Sequence, residues 1–299
     1  MTETLKEILS GIDEAIAAFQ EKVPVMQRRV FDELQVMIKE LNIKNGRLTP
    51  SLENLKAIGR IKNKLERILR DSTYSKATEA FTESFDHIAA LNLKYFSSYR
   101  SDFQLKKFLP AMKELAIEGT VNDLLGQGLN NNVVEPVLKI LNQNVTTGGS
   151  YADFQEELRN HILTNDTGEG SLERYTKQIT TDSINQFNAQ YHNAIAQDLK
   201  FNWGRYVGSN ITTTREFCFK LTEMDWVHRS ELPEIIKGNI DGHQCKLSKT
   251  TKLPLGMIPG TNESNFNVRR GGYNCGHQFF WVPDLAVPAN IRSRIKAAA

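Results

Sequence analysis

Side chains that could bind a metal ion are concentrated in the last third of the sequence. His243-x-Cys245 and Cys275-x-His277 each place a histidine two residues from a cysteine. Residues two apart on a strand point to the same face, so each pair could chelate one ion. Together with Cys218 they make five candidate ligands, of which a tetrahedral zinc site would use four at most. Zinc is therefore a candidate cofactor, and no other cofactor is indicated.

Two other interpretations of these residues stay open. Buried free cysteines often act as small apolar side chains, and structural zinc ligands usually have a wider spacing. A cysteine and a histidine could instead catalyse hydrolysis, with Cys275 as nucleophile and His243 or His277 as base. Nothing in the sequence marks an oxyanion hole. We therefore expect a protein that is not an enzyme, with a Cys/His-dependent hydrolase or a metal-dependent, toxin-like enzyme as the alternative.

A pair of arginines in a glycine-rich segment, Arg269-Arg270-Gly271-Gly272, could bind an anion. Backbone N–H groups of such a loop can form an anion nest, and guanidinium groups suit phosphate. Residues 201–299 hold 13 basic and 8 acidic side chains, whereas residues 1–200 hold 24 and 27. The resulting net +5 is small for a nucleic-acid-binding surface. Arg269 and Arg270 are thus either anion-binding residues or salt-bridged turn residues.

Length and composition exclude several common classes of protein. The 299 residues suffice for one large or two ordinary domains, and the net charge of +2 points to no partner. The sequence has no P-loop, no dinucleotide-binding motif and no HExxH. It has no run of about 20 apolar residues, so we expect no membrane span. Three cysteines and no secretory signal favour synthesis in a reducing cytoplasm.

The first two hundred residues have the periodicity of helices. Apolar residues recur every three or four positions, which is typical of one buried helix face. Thr49-Pro50, Thr120-x-x-Asp123 and Ser150-x-x-Asp153 are predicted helix starts. We expect residues 1–170 to form a helical region that either folds as a bundle or docks on another subunit.

A second domain is predicted over residues 171–299. It begins with a long helix over 171–200, and short aromatic and β-branched runs then predict strands at 203–208, 217–221 and 279–282. A long segment rich in glycine and asparagine lies between residues 253 and 277, and loops of this length are usually functional or held by specific contacts. The fold class is therefore α+β: mostly helical in the first two-thirds, with a small loop-rich α+β domain at the C-terminus.

A set of motifs in this second domain resembles the phage head-morphogenesis or minor capsid family related to phage Mu protein F. The most specific are Thr213-Thr214-Arg215-x-Phe217-Cys218 and, some sixty residues on, Asn274-Cys275-x-His277. Arg215 and Asn274 are the structural residues of these motifs. The family commonly has arginine after the late cysteine, where this chain has Gly276. The remaining matching segments are Thr181-Asp182, Tyr206-Val207-Gly208, Gly260-Thr261, Gly271-Gly272-Tyr273 and Val282-Pro283.

This resemblance implies a virion structural protein. Members associate with the portal inside the phage head and act in capsid assembly, DNA packaging or DNA delivery. The expected partners are the portal protein, the major capsid protein or both, together with packaged DNA. The expected location is the capsid interior, after synthesis in the host cytoplasm. The enzyme described above is the alternative function, and a nucleic-acid-binding module is the second alternative.

Overall fold

The structure is a computed structural model that describes residues 2–100, 107–166 and 168–297. Helices make up 65% of the chain and the sheets are small, so the predicted mostly helical α+β class is confirmed. So far as they are described, the residues pack into two compact units. The first takes Met1–Ile12, Phe85–Ala116 and Thr181–Ala299, and the second takes Asp13–Ser84 and Ile117–Thr180. This division by packing differs from the boundary that the sequence suggests at residue 170, because four long helices each contribute to both units.

Thirteen α-helices lie in the described part of the chain. In chain order they are α1 Glu3–Gln20, α2 Val23–Ile38, α3 Leu52–Leu69, α4 Ser72–Ser97, α5 Phe108–Leu125, α6 Gln127–Leu129, α7 Glu135–Thr147, α8 Tyr151–Ile162, α9 Ser171–Asp198, α10 Glu216–Met224, α11 Leu232–Ile236, α12 Phe266–Arg269 and α13 Ala289–Ala297. A π-helical turn, Asn130–Val134, joins α6 to α7. None of the helices in the described ranges is long and apolar enough to cross a membrane.

Seven short strands form three antiparallel sheets within the described residues. The strands are β1 Ile43–Lys44, β2 Arg47–Leu48, β3 Trp203–Val207, β4 Trp226–His228, β5 Asn239–Ile240, β6 His243–Gln244 and β7 Gln278–Val282. The central sheet has the order β4-β3-β7, and the other two sheets are the pairs β1-β2 and β5-β6. Within the central sheet, Gly204 of β3 lies between Val227 and Trp281.

The second unit is a helical bundle with one hairpin. Helices α2, α3, α7 and α8 pack on one another through apolar faces, as their period predicts. The β1-β2 hairpin turns at Asn45 and Gly46, which both have positive φ. The hairpin is fixed to the start of α3 because the buried Asn54 amide hydrogen-bonds the backbone of Asn42 and Thr49.

The first unit is built around the central sheet and the long helix α9. The apolar side chains of β7 are all buried, and Trp281 is only 1% exposed. The described parts of α4 and α9 in this unit pack through ring contacts such as Phe85 with Phe187, whose centroids lie 4.8 Å apart. This sheet-and-helix core supports the loops that hold the candidate site.

Several sequence-based element predictions are confirmed. Helix α9 begins at Ser171, β3 and β7 lie where strands were predicted, and Ser150 caps α8 by accepting a hydrogen bond from the Asp153 N–H.

Three predictions are wrong. Residues 217–221 form part of α10, because Phe217, Cys218 and Leu221 are buried with helical spacing. The residue that caps α3 is Ser51 rather than Thr49, and its side chain accepts from the Asn54 N–H. Thr120 lies inside α5 rather than at a helix start.

The first prediction concerns Gly204, at the centre of the main sheet. A Cβ atom at this position would lie 2.0 Å from the Phe279 ring, and strands on both sides prevent β3 from moving away. We expect Gly204→Ala to lower the free energy of unfolding by about 3 kcal/mol, the upper range for overpacking. Urea unfolding measures this change.

Gly276→Ala is the matched control, because a Cβ at Gly276 meets no atom within 4 Å. We expect that variant to change the free energy of unfolding by less than about 0.5 kcal/mol. Equal effects of the two substitutions would contradict the packing of Phe279 against β3.

Candidate functional site

Three of the five predicted metal ligands lie together in the first unit. The Sγ atoms of Cys218 and Cys275 are 3.9 Å apart, and Cys275 Sγ is 3.8 Å from His277 Nδ1. All three ligand atoms lie within 4.8 Å of one another. Cys218 is carried by α10, whereas Cys275 and His277 belong to the segment that leads into β7. Residues more than fifty positions apart in the sequence thus form one cluster, which we call the thiol cluster.

The other two predicted ligands belong to a separate group. His243 and Cys245 lie near Glu216, at the first residue of α10. His243 Nε2 is 3.0 Å from one Glu216 carboxylate oxygen, and the Lys246 N–H donates to the other. The His243 side chain is 43% exposed. The five residues therefore do not surround one point, and this second group has the geometry of a surface ion pair.

Two glycines leave room for the thiol cluster. A Cβ at Gly271 would lie 2.1 Å from Cys275 Sγ, so a side chain there would displace the sulfur. Gly208 has a φ of +153°, and a Cβ on it would lie 2.5 Å from His277 Cδ2. The backbone therefore approaches both side chains more closely than any other residue type allows.

Arg215 fixes the loop that carries Cys275. This residue directly precedes α10, and its guanidinium group donates to the carbonyl oxygens of Gly271 and Tyr273. The distance to the Tyr273 oxygen is 2.7 Å. Asn274 has a φ of +57°, a conformation that asparagine tolerates better than most residues, and its N–H donates to Asp182 of α9 at 2.7 Å. Both predicted motif residues thus have structural contacts.

A polar stripe on α9, which the sequence reasoning missed, binds the same segment along its length. Asn185 donates to the Cys275 carbonyl at 3.2 Å and accepts from the Gln278 amide, whose oxygen in turn accepts from Asn188 at 3.0 Å. Asn188 also accepts from the buried Asn92 of α4 at 2.9 Å. The signal was present in the sequence, because Asp182, Asn185, Asn188 and His192 recur every three or four residues.

His192 ends this stripe in a fully buried position. Its Nδ1 lies 2.8 Å from Asn92 Oδ1, and its Nε2 lies 3.1 Å from the Trp281 carbonyl, which also accepts from the Tyr95 hydroxyl. Both nitrogens thus face oxygens that accept hydrogen bonds, and a neutral imidazole donates to only one of them at a time. Burial lowers the pKa of His192 to about 3, against a weaker opposing effect of the Trp281 carbonyl.

The predicted anion-binding arginines are not a pair of accessible groups. Arg270 is 4% exposed, and its guanidinium donates to the His277 carbonyl at 2.8 Å and lies over the Tyr206 ring. Arg269 donates to the Pro259 carbonyl at 3.3 Å. The sequence-based hypothesis of an anion site formed by both residues is therefore corrected, because one of the two guanidinium groups is used inside the protein.

The two cysteines of the thiol cluster have opposite pKa shifts. The Cys218 thiol donates to Cys275 and lowers the pKa of Cys275, with further lowering by the nearby Arg270 guanidinium. The same contact raises the pKa of Cys218, and burial adds to this effect. Tyr206 lies beside both, stacked on His277 with ring centroids 5.4 Å apart, and burial raises its pKa well above the ordinary value. Cys275 is thus the more acidic of the two thiols.

A small polar cavity adjoins the thiol cluster. Its volume is about 20 Å³, which is enough for one water molecule. Cys275 and His277 line one side of it, and Asp182, Asn185 and Gln278 line another. A cavity of this size accepts water or a ligand of an ion, but it does not accept an organic substrate.

Comparison with known proteins adds no relative to this picture. No protein-family model matches the chain, and no curated protein or solved structure is significantly similar to it.

The second prediction concerns the protonation of His192. An ordinary histidine in an unfolded chain has a pKa of about 6.5. Because the pKa of His192 is lowered to about 3 in the folded protein, the unfolded state takes up this proton first as the pH falls. The stability contributed by neutral His192 is therefore present above pH 6.5 and is lost between about pH 6.5 and pH 3.

We expect the free energy of unfolding of the parent, relative to His192→Gln, to fall by about 1.4 kcal/mol per pH unit below about pH 6.5. Urea unfolding of both proteins between pH 7.5 and pH 4.5 measures this difference and removes the contribution of other titrating groups. A difference that stays constant or grows at low pH would mean that the buried ring is an imidazolium.

Proposed function

We propose that this chain is a virion structural protein, a minor capsid component that acts in phage head morphogenesis and associates with the portal inside the head. The observation that carries the proposal is the contact of Arg215 with the carbonyl oxygens of Gly271 and Tyr273. It joins the two segments on which the resemblance to the Mu protein F-like family depends. Two motifs whose residues contact each other in the folded chain support the resemblance more specifically than two short motifs that are only sixty residues apart in the sequence.

The architecture also supports an assembly role independently of the family resemblance. Arg215, Asn274 and the polar stripe on α9 use their polar groups to hold backbone in place. In the second unit, Leu52 and Leu55 at the start of α3 are 61% and 44% exposed. Exposed apolar side chains on a regular helix are suited to contact with another subunit. The portal and the major capsid protein are the proposed partners, with packaged DNA nearby.

A thiol-dependent enzyme is the second candidate function. The contact between Cys275 and His277, together with the lowered pKa of Cys275, favours it. The cavity beside these residues argues against it, because about 20 Å³ admits a water molecule and no organic substrate. A hydrolase activity that disappears in His277→Ala would establish the enzyme instead.

The third prediction tests the assembly role. The tagged chain is produced together with the portal and major capsid proteins of the same virus, and particles are purified by density and size. We expect the parent chain to co-purify with particles that contain the portal. We expect Arg215→Ala to reduce its incorporation at least about fivefold, because loss of two charge-assisted hydrogen bonds frees the loop that carries Cys275.

Arg269→Ala is the matched control, since it removes a nearby guanidinium that donates to the Pro259 carbonyl and makes no hydrogen bond with the loop of Cys275 among the described residues. We expect this control to incorporate like the parent. Absence of the parent chain from purified particles would refute the proposal. Equal incorporation of Arg215→Ala would show that the joined motifs have no part in assembly.

A further inference from the structure

The thiol cluster has the arrangement of a metal centre with three protein ligands. Two sulfurs and one imidazole nitrogen converge from α10 and from the segment before β7, all within 4.8 Å of one another. We propose that Cys218, Cys275 and His277 bind one zinc ion, with a water molecule as the fourth ligand. The inference does not depend on the proposed assembly function, because it follows from the geometry of these three residues.

Two of the three separations within the cluster fit zinc, and the sulfur–sulfur distance does not fit a disulfide. Tetrahedral zinc with bonds of about 2.3 Å to sulfur and about 2.0 Å to nitrogen holds two sulfurs about 3.8 Å apart and a sulfur and a nitrogen about 3.5 Å apart. The observed separations are 3.9 Å for the sulfurs and 3.8 Å for Cys275 Sγ and His277 Nδ1. A disulfide would require sulfurs about 2.05 Å apart.

The hydrogen bonds around His277 leave the metal-facing nitrogen with a free electron pair. The Thr222 hydroxyl donates to the Phe219 carbonyl at 2.7 Å, so it accepts from the Asn210 amide N–H at 2.8 Å. The Asn210 oxygen is then directed at His277 Nε2, 3.3 Å away, and can only accept from it. A neutral imidazole protonated at Nε2 has its lone pair on Nδ1, the nitrogen that faces the sulfurs. Such an outer hydrogen bond is the usual way in which a protein orients a zinc-binding histidine.

The surroundings hold the ligands in place before an ion binds. Gly271 and Gly208 let the backbone pass within van der Waals contact of Cys275 and His277. Arg270 binds the His277 carbonyl, and Asn185 binds the Cys275 carbonyl. A site whose ligands are fixed by their own contacts loses little conformational freedom on binding.

The fourth position is suited to water. The polar cavity of about 20 Å³ adjoins Cys275 and His277 and has room for one water molecule. Because the ligands come from α10 and from the loop before β7, we infer that the ion acts as a cross-link between these two segments. Such a cross-link is valuable in a segment with little regular secondary structure of its own.

The fourth prediction tests this site on the purified chain of 299 residues. After dialysis against metal-free buffer, we expect one tightly bound zinc per chain by elemental analysis. We expect a strong chelator to remove the zinc and lower the melting temperature by several degrees, and added zinc to restore it. Cobalt added to the zinc-free chain should give the near-ultraviolet charge-transfer absorption of thiolate ligands and the visible bands of a tetrahedral ion.

Substitutions identify the ligands. We expect Cys275→Ser and His277→Ala to weaken zinc binding by about 100-fold or more. Cys245→Ser is the matched control, because Cys245 is a buried thiol of the separate group with Glu216 and His243, and we expect this variant to bind zinc like the parent. If either ligand variant does not fold, the zinc content and cobalt spectrum of the parent and of Cys245→Ser still decide the question.

Three results would overturn the proposal. They are a parent chain that retains no zinc and gives no thiolate–cobalt band, a disulfide between Cys218 and Cys275 in protein purified without oxidant, and zinc that is lost on replacing Cys245. None of these measurements requires particles, so failure of the zinc site and failure of the assembly role are separate outcomes.

Discussion

The conformation of residues 274–281 depends on polar side chains of α9. These side chains hydrogen-bond the backbone of this segment where water would otherwise do so. Between residues 274 and 281 the chain passes from a loop into a buried strand, and its N–H and C=O groups need partners wherever they leave solvent. Asp182 takes the Asn274 N–H, Asn185 donates to the Cys275 carbonyl and His192 faces the Trp281 carbonyl. These partners are separated by about one and about two turns along the same face of α9. Hydrogen bonds from α9 therefore fix the position of this segment, and with it the positions of Cys275 and His277 in the thiol cluster.

This arrangement explains which parts of the molecule the sequence could predict. Helix α9 and strands β3 and β7 were predictable, because the buried face of each element determines the period at which its apolar residues recur. The segment around Cys218 was predicted as a strand, since Phe217 and Phe219 are aromatic residues with strand propensity. It is helical because Phe217, Cys218 and Leu221 bury one helical face, so tertiary packing overrides a weak local preference.

The composition of the thiol cluster shows a second limit of sequence reasoning. Spacing along the chain correctly paired Cys275 with His277, because neighbours two residues apart are held close by the backbone itself. It could not separate Cys218 from Cys245, since which thiol reaches Cys275 depends on how α10 packs. The same limit applies to the arginines. In the sequence, Arg270 is predicted to be an anion-binding residue or a salt-bridged turn residue, yet it is buried with its guanidinium over the Tyr206 ring. Arg215 instead makes the contact with the Tyr273 carbonyl that holds the loop of Cys275.

Gly276 and Gly271 have different surroundings, although both lie near Cys275. Gly276 is exposed, and a Cβ there would meet no atom within 4 Å, so a longer side chain at this position would extend away from the thiol cluster. Gly271 is different, because any side chain there would collide with Cys275 Sγ. A substitution at Gly271 would therefore move the sulfur of Cys275. Arg215 holds the same loop in place, because its guanidinium group donates to two carbonyl oxygens at once.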